Sequence, residues 1–221
     1  MNSMRFLVEA KQHAVISSEL NAKITSLPYL DGEGFRKGDI IAAFDCRLFK
    51  ASVLTEGATL KGARKSLENI KRLSKLGSAS DLEIALAVAD VERATGLYNQ
   101  AKVSESKCKI PAPFSGKVVE RHARLHEVIT QGEPVLEIIN HEELELKIVI
   151  PSLWLKWLKV GTPLQVKVDE TGHMFQARVE RISAKVDPVS QSLKVIAKPV
   201  DRQDGLMPGM SGNALFVQPL E

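Results

Sequence analysis

Met207 and Met210 are two thioethers three residues apart, soft donors that could hold Cu(I). Both sit inside Gly205-Leu206-Met207-Pro208-Gly209-Met210-Ser211-Gly212, whose glycines and proline read as turn chemistry before a strand, so a structural role is the stronger reading. Of the five histidines (His13, His122, His126, His141 and His173), only His122 and His126 have the i, i+4 spacing of paired imidazole ligands. They fall in a strand-turn region rather than on a helix, so solvated imidazoles are expected and no metal site is assigned. No glycine-rich phosphate loop, nucleophile elbow or catalytic dyad spacing occurs, and with no catalytic or cofactor-binding residue to name, no enzyme is expected. The two cysteines, Cys46 and Cys108, each lie 31 residues from Gly77.

Those residues belong to an ordinary folded chain of 221 residues, 44% hydrophobic and 26% charged, with 14 Gly and 10 Pro. Disorder and collagen-like repetition are excluded. Thirty Lys and Arg against 27 Asp and Glu, with 5% aromatic residues, leave no electrostatic footprint or stacking platform for nucleic acid. Every apolar run stops well short of the roughly 18 residues a membrane span needs, and Met1 to Lys11 lacks the apolar stretch of a signal peptide. The sequence as given is expected to be soluble, either cytoplasmic or exported by a signal lying outside it.

From Cys46 to Lys107 there is no proline, and Ala, Leu, Lys and Glu dominate, the residues that lose least on entering a helix. Gly77-Ser78-Ala79-Ser80 interrupts this stretch, and Ser80 with Glu83 has the spacing of a capping box. Two helices meeting at a short turn follow. Leu60, Ala63, Leu67 and Ile70 form one narrow seam; Ile84, Ala87, Val91, Ala94, Tyr98 and Ala101 form the other. The first helix, Cys46 to Lys75, carries eight Lys and Arg against two acids; the second, Ala79 to Lys107, carries three against five. At 1.5 Å per residue each would be roughly 40–45 Å long, so the hairpin must project.

On either side the pattern changes to short strand-like runs, among them Leu144 to Ile150, Leu164 to Val168, Ala177 to Ile182 and Leu193 to Pro199. Sliding the chain on itself by 94 residues places Ile16, Lys23, Ile24, Gly38, Asp39 and Ile41 on Ile110, Lys117, Val118, Gly132, Glu133 and Val135. The two copies bracket the hairpin at its two roots.

Such split half-motifs resemble the biotinyl/lipoyl domain, a flattened barrel of two quasi-symmetric halves joined in intact carriers by a turn that presents a modified Lys. Here Phe44-Asp45-Cys46-Arg47 stands at that junction, with no Lys and sixty-odd helical residues instead. A lipoyl-like domain interrupted by a helical hairpin is similar to the HlyD-type membrane-fusion proteins, the periplasmic adaptor family of tripartite efflux and secretion systems. Ile110-Pro111-Ala112-Pro113-Phe114-Ser115-Gly116, Val160-Gly161-Thr162-Pro163, Val186-Asp187-Pro188 and Leu206-Met207-Pro208-Gly209-Met210-Ser211-Gly212 match that family's order and spacing. After Asp187-Pro188 the family's Thr-Arg-Thr-like run is replaced by Ser190-Gln191-Ser192.

The resemblance implies a mostly β fold with an inserted α-helical hairpin: a lipoyl-like barrel-sandwich hybrid at 8–45 and 108–141, the hairpin at 46–107 and an antiparallel β-barrel at 142–218. The family's membrane-proximal domain is expected to be absent. A short helix from Ser152 to Leu158, with Trp154, Trp157 and Leu158 on one face, is expected to plug the barrel. The implied function is a non-enzymatic adaptor, without cofactors, that links an inner-membrane transporter of RND or ABC type to a TolC-type outer-membrane channel. It would sit in the periplasm against the inner membrane and self-associate into a ring on its partners. Two alternatives stay open, a heavy-metal-binding adaptor or chaperone and, less favoured, a biotin or lipoyl carrier.

By the same resemblance Arg72, Leu76 and Ser80 occupy places comparable to the family's channel contacts at the hairpin tip, although Ser80 follows Leu76 by four residues where relatives have about seven. Capping of the second helix by Ser80 is the competing reading. Antiparallel helices turning at Gly77 bring Cys46 and Cys108 together at the root, where strands rather than helices set the separation, so a disulfide is a candidate in an oxidising periplasm, with two buried free thiols as the stronger alternative.

Overall fold

A computed structural model describes residues 2–200 and 205–217. In chain order the elements are β1 (Asn2–Ala10), β2 (His13–Ser17), β3 (Ala22–Ser26), β4 (Gly34–Phe35), β5 (Ile40–Phe44), α1 (Arg47–Lys75) and α2 (Asp81–Ser106). They continue with β6 (Lys109–Pro111), β7 (Gly116–Arg121), β8 (Val128–Ile129), β9 (Pro134–Ile139), β10 (Leu144–Pro151), β11 (Pro163–Val168), β12 (Met174–Ile182), β13 (Ser192–Pro199) and β14 (Ser211–Phe216). Two compact units result. One joins the N-terminal segment up to Ala14 with Phe114–Lys117 and the chain from Ile138 onward; the other takes Val15–Pro113 and Val118–Glu137.

The first unit is a closed barrel of order β1-β10-β13-β12-β11-β14. Its strands alternate buried and exposed residues with period two, so Leu146, Ile148 and Ile150 of β10, Val195 and Ala197 of β13, and Ala214 and Phe216 of β14 fill the interior. Closure depends on β1, which pairs with both β10 and β14: Phe6 lies opposite Ile148 on one side and Gly212 on the other. The expected boundaries therefore shift. The barrel is more than 142–218, since its first strand comes from the residues before the sandwich, and residues 8–10, expected in the lipoyl-like half, belong to it. Residue 218 itself lies outside the described residues. Phe6 and Val8 are buried between exposed Arg5, Leu7 and the half-exposed Glu9, an alternation too short and too charged to be noticed beside the longer runs.

The short helix expected from Ser152 to Leu158 is a 3₁₀ helix over Ser152–Lys156. Trp154 and Trp157 stack on each other at 5.3 Å and edge onto Phe216, with Leu158 fully buried below. They close the core as indole rings do when one side stays wet.

The second unit contains two four-stranded sheets, β2-β9-β7-β4 and β6-β5-β3-β8. The 94-residue repeat carries each strand of one sheet onto the strand at the same place in the other, so the halves are exchanged copies. Their backbones reciprocate: Gly32 donates to the Val118 carbonyl and His126 to that of Ile24, while Gly38 donates to Ala112 and Gly132 to Ser18. Asp39 accepts the Arg36 amide through its carboxylate and Glu133 accepts the Thr130 amide, the same turn built twice. Each sheet draws strands from both halves, and Ile24 and Ile41 are buried as are their equivalents Val118 and Val135.

Candidate functional site

The hairpin leaves the sandwich between the adjacent strands β5 and β6, which enter and receive the two helices. Its seam follows the sequence pattern. Leu60 and Ala63 of α1 and Ala87, Ala94 and Ala101 of α2 are buried, with Val91 and Tyr98 packed against them. The alanines let the helices approach, and Gly57 leaves room for the Tyr98 ring, which would lie 3.3 Å from an added Cβ.

At the tip two capping devices set the turn. Helix α1 ends at Leu76 in a Schellman motif: Gly77, with φ +73°, donates to the Ser74 carbonyl and Ser78 donates to that of Leu73. Helix α2 opens on Ser80, whose hydroxyl accepts the Glu83 amide while the Glu83 carboxylate accepts the Ser80 amide at 2.7 Å. The Ser80 hydroxyl also donates to that carboxylate at 2.8 Å, and the two bonds it accepts, from the backbone amide first and the hydroxyl second, hold the Glu83 carboxyl below its ordinary range. Ser80 thus spends its hydroxyl locally. Arg72 is exposed, tied only loosely to Asn69 at 3.0 Å, and shares a shallow groove with Lys65, Glu68, Lys71 and Lys75. Glu68 pairs with Lys65 at 2.7 Å, which leaves Lys71, Arg72 and Lys75 as net positive charge. Leu76 is 74% exposed.

Sequence reading missed two neighbours of this tip. Leu82 and Leu86, in the first turns of α2, are also exposed. Their i, i+4 spacing off the seam was a usable signal, hidden because α2 is nearly as apolar outside the seam as on it. The tip therefore offers exposed apolar and cationic groups together.

At the root, Phe44 donates to the Cys108 carbonyl and Asp45 to that of Lys23, so both helix ends are stitched into the sheets. The Cys46 and Cys108 Cα atoms lie 5.9 Å apart and their sulfurs at bonding distance. Arg47 clamps the Asp45 carboxylate from both side chain and backbone, lowering its pKa to about 2. None of Phe44, Asp45, Cys46 and Arg47, the junction at which intact carriers present a modified Lys, is a Lys, and the chain passes there into α1.

The Met207 and Met210 pair lies in the turn before β14, where Gly209 takes φ +92° and the Met210 sulfur accepts the Met207 amide at 3.4 Å. Met210 packs against the barrel core. His122 and His126 are not partners, since His126 sits in the 94-residue equivalent of the Gly32 turn. Instead His122 lies beside Glu137 of the neighbouring β9, 3.8 Å from its carboxylate, and near Glu120. Among the described residues no helix is long and apolar enough to cross a membrane.

No protein-family model matches the chain. In sequence it is similar to the multidrug resistance protein MdtA of Salmonella typhimurium, 23% identical over 235 residues that cover 94% of this chain. The chain spans a little over half the length of the curated relatives it matches, 56% in this case. In structure it resembles the membrane fusion protein Spr0693 of Streptococcus pneumoniae, with a TM-score of 0.84 at 13% identity and all of both chains covered. It also resembles a chimera of MacA carrying the α-hairpin domain of Pseudomonas aeruginosa MexA, with a TM-score of 0.83 at 17% identity over 98% of this chain and 82% of the other.

Proposed function

We propose that this chain, which has the fold of the membrane fusion proteins and is similar in sequence to MdtA, is the adaptor of an efflux or secretion assembly. It works without catalysis. The hairpin reaches a TolC-type outer-membrane channel, the barrel unit engages an inner-membrane transporter of RND or ABC type, and copies associate laterally into a ring on those partners. The setting is the periplasm at the inner membrane, where thiols oxidise and the Cys46–Cys108 pair would clamp the hairpin root.

The observation that carries this reading is the tip. A hairpin about 40 Å long, held at its root by backbone bonds, ends in the exposed Arg72, Leu76, Leu82 and Leu86, which serve no part of the chain's own core. Surface apolar groups gathered at the far end of a stiff element mark a protein contact. A photo-crosslinking residue at Leu76 should capture an outer-membrane channel protein in cells, whereas one at Glu92, halfway down α2, should not. Equal capture at both positions, or none at Leu76, would overturn the assignment. Affinity purification after crosslinking would identify the transporter.

A further inference from the structure

Glu120 near the end of β7, His122 just beyond it and Glu137 of β9 bring one imidazole nitrogen and two carboxylate oxygens together, every pair of these atoms within 4.8 Å. Three points so spaced have a centre no more than about 2.8 Å from each, and zinc binds nitrogen and oxygen at roughly 2.0–2.2 Å. Side-chain rotations that move each ligand atom by less than about 1 Å would close that gap. The backbone is already set: β7 and β9 are neighbours in one sheet, and the amides of His122 and Ala123 both donate to the Val135 carbonyl, fixing the imidazole beside Glu137.

Electrostatics and solvent access favour a cation here. The His122 and Glu137 side chains are each about a quarter exposed, while Glu120 is exposed and leaves one side open for an ion to enter. At 3.8 Å the imidazole and the Glu137 carboxylate are too far apart for a good direct hydrogen bond, yet close enough to share one ion. The nearest basic side chain in sequence, Arg121, is directed to Asp31. One neutral imidazole with two carboxylates is a donor set for borderline divalent ions; the nitrogen disfavours Mg²⁺ and Ca²⁺, which prefer all-oxygen shells.

We propose that Glu120, His122 and Glu137 form a three-ligand site for a zinc-class divalent cation, with solvent completing the coordination. The bound ion ties the end of β7 to β9 and stabilises the exchanged half of the sandwich. Neither the adaptor reading nor the channel contact is needed for this inference.

The test is calorimetric titration of the purified, chelator-treated full chain with Zn²⁺, with metal content read by mass spectrometry after dialysis. One equivalent should bind with micromolar affinity, survive a hundredfold excess of Mg²⁺ and raise the melting temperature. His122→Ala, and separately Glu137→Gln, should weaken binding at least tenfold and abolish the thermal shift while the metal-free proteins melt as the parent does. His173→Ala should bind normally. Absence of saturable binding below about 100 μM, displacement by Mg²⁺, or undiminished affinity in both variants would overturn the site. Failure here would leave crosslinking at Leu76 untouched, so the two conclusions fall separately.

Discussion

Gly32 and His126 are structural equivalents in the two halves of the sandwich, with φ of +83° and +71°, each donating its amide to the inner strand of the opposite half. One position carries the residue that adopts this conformation without strain; the other carries a side chain that pays about 1–2 kcal/mol for it. Substitutions should therefore have opposite signs. Gly32→Ala is expected to lower unfolding stability by about 1 kcal/mol, and His126→Gly to be neutral or stabilising once the larger entropy of the unfolded glycine is counted. Chemical denaturation of both variants checks this, and equal destabilisation would break the equivalence.

The cysteines are expected to be joined in protein purified without reductant. Alkylation under denaturing, non-reducing conditions should find no free thiol, and two modified thiols would refute the bond. Closing a loop of about sixty residues typically contributes 2–4 kcal/mol, so the Cys46→Ser, Cys108→Ser double variant should lose about that much stability.

Arg72→Asp should leave the melting temperature within a degree or two, since an exposed charge contributes little to folding. The same change reverses the charge at the tip beside Lys71 and Lys75, and crosslinking from Leu76 to the channel should fall sharply. Full retention of efflux and crosslinking would remove Arg72 from the docking surface.

Ser80 separates capping from docking. Ser80→Ala should cost about 1 kcal/mol of hairpin stability, whereas Ser80→Asp should keep the cap. If the hydroxyl serves only the capping box, the Asp variant crosslinks as the parent does; loss in that variant would give Ser80 a contact of its own. Because the Glu83 carboxyl is lowered by its bonds to Ser80, its contribution is present above the ordinary Glu range and lost as pH falls through the lowered value. Acid melts of the parent should show this loss, and the Ser80→Ala variant should show less of it.

Gly212→Ala should destabilise the barrel by more than 2 kcal/mol. An added Cβ would lie 2.0 Å from the Lys167 carbonyl oxygen and 2.8 Å from the Phe6 ring, backbone on one side and packed core on the other. A variant with the parent's melting temperature would show that β1, β11 and β14 are not packed this closely.

What the sequence determined by itself was local. The hairpin, its seam, its capping box and the Gly77 turn follow from spacings of three and four residues and from Ser80 and Glu83, all interactions within one turn of chain. The 94-residue repeat was legible too, because each half builds its turn from the same short run, Lys-Gly-Asp or Gln-Gly-Glu. Tertiary structure decided what depends on partners distant in sequence. Asn2–Ala10 becomes a barrel strand only because Phe6 and Val8 complete a core between β10 and β14, some 140 and 205 residues away. His122 meets Glu137 rather than His126 because β7 and β9 are neighbours, a pairing no periodicity encodes. Local patterns record what a residue does to its own few neighbours, and strand pairing is settled by which distant apolar faces can exclude water together.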